Sequence, residues 1–309
     1  MPQKSSSIFF TGGSGFIGSL LLQSLGALRY ENIYCLVRSS HTFSALTASH
    51  PHISFLRGTL SQVDTYASKL RECETVVHLA ALTGKGTKEE FFSNNAHDTA
   101  TLIDQCKKTG IKNFLYVSTI ATKFRDQSYY YYAQSKLQGE AAVKASGLLY
   151  TILRPTLVVG KSNQACQALN KLVRPPFLFI LGTGKIFIQP IFVHDLVLGL
   201  LDIIRDDRFL NETYEFGGPQ PLTMEDFLLH LYWERVKKDP RFVIRIPLGM
   251  IVPLLGNIEK FCSSLLPVTA GQLSSFRNEG TITENALFQK HRTNMKPVED
   301  MVKDIVCAE

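Results

Sequence analysis

Residues 11–18 read Thr-Gly-Gly-Ser-Gly-Phe-Ile-Gly. They follow an apolar run at 7–11 and open an apolar-periodic stretch from 16 to about 28. A strand therefore runs into a tight turn, and the turn into a helix. Gly12 permits a turn that a Cβ would obstruct. Gly15 lets the backbone approach a pyrophosphate closely, and Gly18 lets the helix pack on the sheet. A pyrophosphate at this turn meets unpaired helix N-terminal amides, those of Phe16 and Ile17 among them, and the positive end of the helix dipole.

Outward from this turn, strand signals recur at 32–37, 52–56, 75–79, 113–118 and 150–153. Helix patterns fill 88–108 and 132–146. Strands rich in Val, Ile, Phe and Tyr with helices between them predict an α/β fold, a Rossmann-type doubly wound parallel sheet with right-handed crossovers. Farther on, 193–204 reads as a helix and 212–217 as a strand, and Thr223 with Asp226 caps a helix through Trp233. Segments 161–183 and 219–309 carry most of the prolines and irregular apolar runs. They are expected to form a smaller substrate-binding lobe over the C-terminal ends of the strands, with 1–160 and 184–218 as the dinucleotide-binding domain.

Composition narrows the class. At 309 residues, with 45% hydrophobic and 19% charged residues, the chain can bury a sizeable core. The net charge of +6 is spread along the chain, which argues against a nucleic-acid partner and suits an anionic cofactor. The six cysteines form no CxxC pair and stand away from histidines at metal-ligand spacing, so no metal site is expected. They favour a reducing compartment, and with no signal peptide visible at the N-terminus a cytoplasmic location is expected. No transmembrane segment is expected. The apolar runs 175–181 and 246–255 read chiefly as lobe packing, with a lipid-like substrate pocket or peripheral membrane contact as the other reading. A small-molecule substrate and a monomer or homodimer complete the expectation.

The end of the second strand selects the cofactor. An acid there would bond the adenosine ribose 2′-hydroxyl and favour NAD. This chain has Leu36-Val37-Arg38-Ser39-Ser40, and Arg38 offers a planar fork suited to a 2′-phosphate. NADP is expected, NAD less so. The candidate chemistry lies farther along. Tyr129 to Tyr132 form a run of tyrosines, and Tyr132 stands four residues before Lys136. On a helix that spacing puts both on one face. A lysine ammonium there is expected to lower the phenol's pKa so that it moves a proton at a carbonyl or alcohol. Lys136 can also hold the nicotinamide ribose. The strand just before ends in Ser118-Thr119, either of which can polarise the same substrate oxygen.

These pieces resemble the short-chain dehydrogenase/reductase superfamily in its extended or atypical branch, the NAD-dependent epimerase/dehydratase family. The resemblance rests on TGGSGFIG (11–18), VVHLAA (76–81), the Asn95 region, YVST (116–119), YAQSK (132–136), LRPTLVVG (153–160) and PIFVHDLVLGLL (190–201). It implies a catalytic Thr119, Tyr132 and Lys136. It implies cofactor contacts from Leu79, Ala80 and Ala81 after the fourth strand and from Pro155 beside the nicotinamide. It also implies a cofactor contact at Leu60, in Gly58-Thr59-Leu60, where the family often has Gly-Asp with the acid near the adenine and this chain has no acid. Ile120-Ala121-Thr122-Lys123 replaces the Val-Tyr-Gly segment of nucleotide-sugar enzymes. Residues 214–228 resemble the atypical group that includes the NADPH-binding accessory subunit of respiratory complex I. An NADP-dependent oxidoreductase is therefore the leading expectation. The alternatives are a nucleotide-sugar epimerase/dehydratase and a non-catalytic NADP(H)-binding assembly or sensor protein. His78, His97 and His194 read as structural.

Overall fold

The computed structural model describes residues 7–26, 30–161, 163–206, 209–262 and 268–306. Its centre is a seven-stranded sheet made of β1 (Ile8–Thr11), β2 (Ile33–Val37), β3 (Ser54–Arg57), β4 (Thr75–His78), β5 (Asn113–Val117), β6 (Leu149–Pro155) and, after several further strands outside it, a last strand at Glu212–Phe216. Of the strands outside it, Phe177–Leu181 is labelled β7, and Glu212–Phe216 is β8. The order is β8-β6-β5-β4-β1-β2-β3, and every pairing is parallel. The order reverses between β1 and β4, so the crevice of this doubly wound sheet opens at their C-terminal ends.

Side-chain alternation explains the layers. Ile8 and Phe10 enter one core with Cys35, Val37, Val77, Leu115, Val117 and Leu153. Phe9 enters the other with Tyr34, Leu36, Val76, Phe114, Tyr116 and Ile152. Successive strand residues face opposite sides, and a parallel sheet buries both. The first face is covered by α1 (Phe16–Gly26) and a helix at Val193–Arg205; the second by helices at Asp98–Thr109 and Tyr131–Lys144. Numbered along the chain with Ser40–Ser49 as α2, these are α3 (Asp98–Thr109), α4 (Tyr131–Lys144) and α5 (Val193–Arg205).

A third core gathers Val159, Leu178, Ile180 and Ile188 with α6 (Met224–Val236) and the helix Val298–Val306. A three-stranded sheet belongs to it: β9 (Phe242–Ile246) pairs parallel with β7, and Val173–Arg174 pairs antiparallel on the other side. Directly after β9 comes α7 (Leu248–Cys262). The cores interleave along the chain: Leu287, Phe288 and Met295, from the late segment, pack into the first core with α5.

Two expectations need correction. The single helix expected over 88–108 is interrupted by a π-helical segment at Ser93–His97 between Lys88–Phe92 and α3. One extra residue per turn re-aims the side chains there. Gly18 also acts differently from expectation. A Cβ on it would lie 2.1 Å from the Gly12 carbonyl oxygen, so its bareness closes the turn upon itself before any packing on the sheet.

Candidate active site

The cradle begins at Gly12. Its φ of +82° is open to glycine, and a Cβ there would lie 2.6 Å from the Ala80 nitrogen and 2.7 Å from the Leu79 carbonyl carbon. The turn after β1 and the loop after β4 can therefore touch backbone to backbone. The Gly15 amide closes the turn onto the Gly12 carbonyl at 3.0 Å. Ser14 and Gly15 are exposed, and the first amides of α1 have no partner within the helix. Phe16 and Ile17 are half-buried; Ile17 packs on the first core and Phe16 lies against Gly160. A bare, outward Gly15 above free amides fits a pyrophosphate.

Beneath the cradle lies a one-way hydrogen-bond chain. The Ala80 amide donates to Thr11 Oγ1 at 3.3 Å, and Thr11 donates to His78 Nδ1 at 2.6 Å. Thr99 spends its proton on the Asn95 carbonyl at 2.8 Å, so His78 Nε2 is the donor to Thr99 at 2.9 Å. His78 is fully buried and held neutral, with burial and then the Lys136 charge lowering its pKa to about 3. It is structural, as expected.

The π segment turns Asn95 inward. Its carboxamide accepts from the Leu82 amide at 2.7 Å and donates to the Leu82 carbonyl and to Ser135 Oγ, each at 3.0 Å. The loop of Leu79, Ala80 and Ala81 is thus fastened to α4. The neighbouring Asn94 accepts from Arg38 at 3.4 Å, and Arg38 is exposed just beyond β2, with Asp98 close enough to feel its charge. Leu60 is not brought out to the crevice: its side chain is buried in the second core, and its carbonyl accepts from Tyr66 at 2.8 Å.

Thr119 follows β5, and Tyr132 lies in the first turn of α4. Burial, and after it the nearby Tyr130, raise the phenol's pKa above its ordinary value, and the neighbouring Thr119 hydroxyl offsets them only in part. The lowering expected from Lys136 is therefore absent. Lys136 is buried, donates to the Val117 carbonyl at 2.8 Å, and sits 3.9 Å from the Tyr116 ring centroid. Burial lowers its pKa to about 7, against a raising influence from Glu140. Ser118 is turned away and donates to Glu140 at 2.6 Å, which leaves Thr119 as the hydroxyl beside Tyr132.

Glu140 was not singled out in the sequence, although it stands one turn beyond Lys136. Its carboxylate also accepts from Thr122 at 3.2 Å and takes Arg154 in a two-pronged pair at 2.9 and 2.5 Å. It clamps the chain on both sides of Thr119. Pro155 is buried at the end of β6, beside Phe216 of β8. The other tyrosines divide: Tyr129 packs with Leu248 and Val252 of α7, Tyr131 lies under Lys88, and Tyr130 stays near Tyr132 at 5.9 Å.

Comparison with known proteins bears on the family and the fold. A family model described as NAD(P)H-binding matches residues 12–172. The chain belongs to this NAD(P)H-binding family. Among curated relatives, subunit 9 of the NADH dehydrogenase (ubiquinone) 1 alpha subcomplex, mitochondrial, of Arabidopsis thaliana is 23% identical, over 94% of this chain and 76% of the relative. A human sterol-4-alpha-carboxylate 3-dehydrogenase (decarboxylating) is 25% identical, over 75% of this chain and 68% of the relative. Among solved structures, the UDP-glucuronic acid 4-epimerase of Bacillus cereus in complex with NAD superposes with a TM-score of 0.68 at 18% identity, over 98% of each chain. The family member described here thus falls in the extended short-chain dehydrogenase/reductase group to which its motifs point.

Proposed function

We propose that the chain is an NADP-dependent oxidoreductase of the short-chain dehydrogenase/reductase type, acting on a carbonyl or alcohol with Tyr132 moving the proton. The observation that carries this reading is Tyr132 in the first turn of α4, with Thr119 just past the end of β5 and buried Lys136 one turn along the same helix. Gly12, Gly15 and the amides of Phe16 and Ile17 would hold the pyrophosphate. Arg38 would take the 2′-phosphate, Leu79 to Ala81 would line the cofactor's flank, and Lys136 and Pro155 would face the nicotinamide riboside. When bound, NADP(H) supplies or accepts the hydride.

The chain's own groups handle the proton. The protonated phenol would donate to a developing alkoxide in carbonyl reduction, and the ionised phenol would accept from the hydroxyl in alcohol oxidation. Thr119 would align the same oxygen. Segments 161–183 and 219–309 would supply the substrate lobe.

The test is NADPH consumption over a panel of ketones and aldehydes. Tyr132→Phe should lower turnover by about 10²- to 10⁴-fold and leave NADPH affinity nearly unchanged. NADPH should bind at least about tenfold more tightly than NADH, and Arg38→Ala should remove most of that gap. Equal affinities in the unaltered protein would refute the NADP assignment. Turnover that survives Tyr132→Phe would refute the role of the phenol.

A second reading has one observation in its favour. Lys136 is engaged with the Val117 carbonyl and the Tyr116 ring, as suits a protein that holds the cofactor without turning it over. Tight NADPH binding with no Tyr132-dependent turnover on any carbonyl would favour that reading.

A further inference from the structure

The outer side of α7 breaks the usual rule for a surface helix. Its inner face is apolar: Leu248 and Val252 are buried beside Leu273, with Tyr129 packed against them. Its outer face is apolar as well. Met250 is 80% exposed and Leu254 64%, and Ile258 follows at the same spacing of four. A surface helix ordinarily turns charge toward water. Among the described residues, the exposed positions of α7 from Gly249 to Ile258 carry no charge. Glu259, its acid, is half-buried and accepts from the Ala270 amide.

The exposed apolar surface continues back along the chain through Pro247 into β9. This edge strand exposes Phe242, Val243 and Ile244, and Phe242 stacks on the exposed Phe177 of β7 at 5.4 Å. An edge strand left apolar and open invites pairing unless something covers it.

Arg245, exposed on β9 as well, is neutralised by Glu225 in a two-pronged pair at 3.0 and 2.6 Å, and the remaining cations sit together at the other end of the strand. Arg241 precedes β9, and Arg174 pairs in register with Phe177. Arg235 ties the end of α6 to the Val173 carbonyl at 2.9 Å, which brings Lys237 and Lys238 to the same end. With Lys171, five exposed cations gather there, against Glu234, which pairs Lys237, and Asp239. Trp233, exposed and lying under Lys237 at 4.7 Å, adds an amphipathic ring.

An apolar helix face and strand edge with cations and a tryptophan at one border match the chemistry of an anionic bilayer surface. Such a face enters the boundary between headgroups and acyl chains while the cations meet the headgroups. A second copy of the chain fits less well, because a self-complementary contact brings like charges together. We propose that α7 and β9 dock this protein onto an anionic lipid surface. The inner side of α7 rests on Tyr129, three residues before Tyr132, so docking would set the mouth of the crevice against the lipid. The proposal stands whether or not the crevice turns substrate over.

The test is co-sedimentation of the full chain with vesicles of phosphatidylcholine alone and of phosphatidylcholine with phosphatidylserine. The protein should pellet with the anionic vesicles and be released by salt. Met250→Glu with Leu254→Glu should weaken that partition by about tenfold or more. Lys238→Glu with Arg241→Glu should remove the preference for anionic lipid, also by about tenfold. Both variants alter exposed positions, and an unchanged melting temperature and unchanged NADPH binding would show them folded. If one fails to fold, the other carries the test. Absence of pelleting, or pelleting that neither pair of substitutions weakens, would overturn the proposal. So would a concentration-dependent dimer that Met250→Glu with Leu254→Glu dissolves while vesicles bind nothing.

Discussion

Lys136 shows how burial outweighs spacing at the level of one residue. The four-residue step from Tyr132 does put both on one helix, but the ammonium is drawn to the Val117 carbonyl and the Tyr116 ring. Its pKa falls from an ordinary 10.5 to about 7. Between those values the folded chain binds fewer protons than the unfolded chain, so this group makes stability rise as pH increases from about 7. Below about 7 the lysine is charged in both states and the cost of burying it is fully present. Unfolding free energies of the unaltered protein and of Lys136→Met, measured at intervals from pH 6 to 8, should differ by an amount that shifts by up to about 1.4 kcal/mol per pH unit above 7. The comparison cancels the buried cysteines, whose raised pKa values act in the opposite sense at higher pH. A pH-independent difference would mean that Lys136 keeps its ordinary proton affinity in the fold.

At the scale of elements, Glu140 of α4 joins three pieces of chain. It binds Ser118 and Thr122 around the end of β5 and Arg154 of β6, with Glu215 of β8 a further 3.8 Å partner for Arg154. Taking one partner from a buried ion pair leaves the other uncompensated. Glu140→Gln should therefore cost about 3 kcal/mol in denaturant unfolding, and Arg154→Met a similar amount. Combining them should cost clearly less than the two together; strict additivity would mean that the pair is not coupled. The cradle was legible in the sequence because Gly12 and Gly15 mark places where no side chain is tolerated or wanted. The sheet was legible because its strands are short apolar runs between turn signals. The π segment was not, since an inserted residue leaves the apolar pattern of 88–108 looking helical. The Glu140–Arg154 pair was not, because nothing local joins positions fourteen residues apart until α4 lies over β6. Arg38 was legible in type and position, whereas its Asn94 partner depends on the π segment.

At the scale of the whole molecule, the central sheet and the late segment are fastened together. Asp195 and Asp202 of α5 accept from the Lys296 amide at 2.9 Å and from His291 at 2.8 Å, and Leu287 and Phe288 fill the first core beside them. That core also holds Cys35, whose sulfur lies 2.6 Å from where a Cβ on Gly13 would stand. Burial raises its pKa to about 12. A thiol so placed is a natural stopwatch for the cradle, since a thiol-reactive reagent can reach it only while the glycine turn has swung away from β2. Buried Cys73, Cys106 and Cys166 lie elsewhere and keep time for wider opening. Mass-spectrometric labelling of Cys35 should slow by about 100-fold when NADPH is present at a hundred times its dissociation constant, and by less at the other three if the turn opens on its own. An unchanged Cys35 rate under saturating NADPH would mean that the cofactor does not hold this turn shut. The slowing itself would give the cofactor's affinity from a protein that need never complete a catalytic cycle.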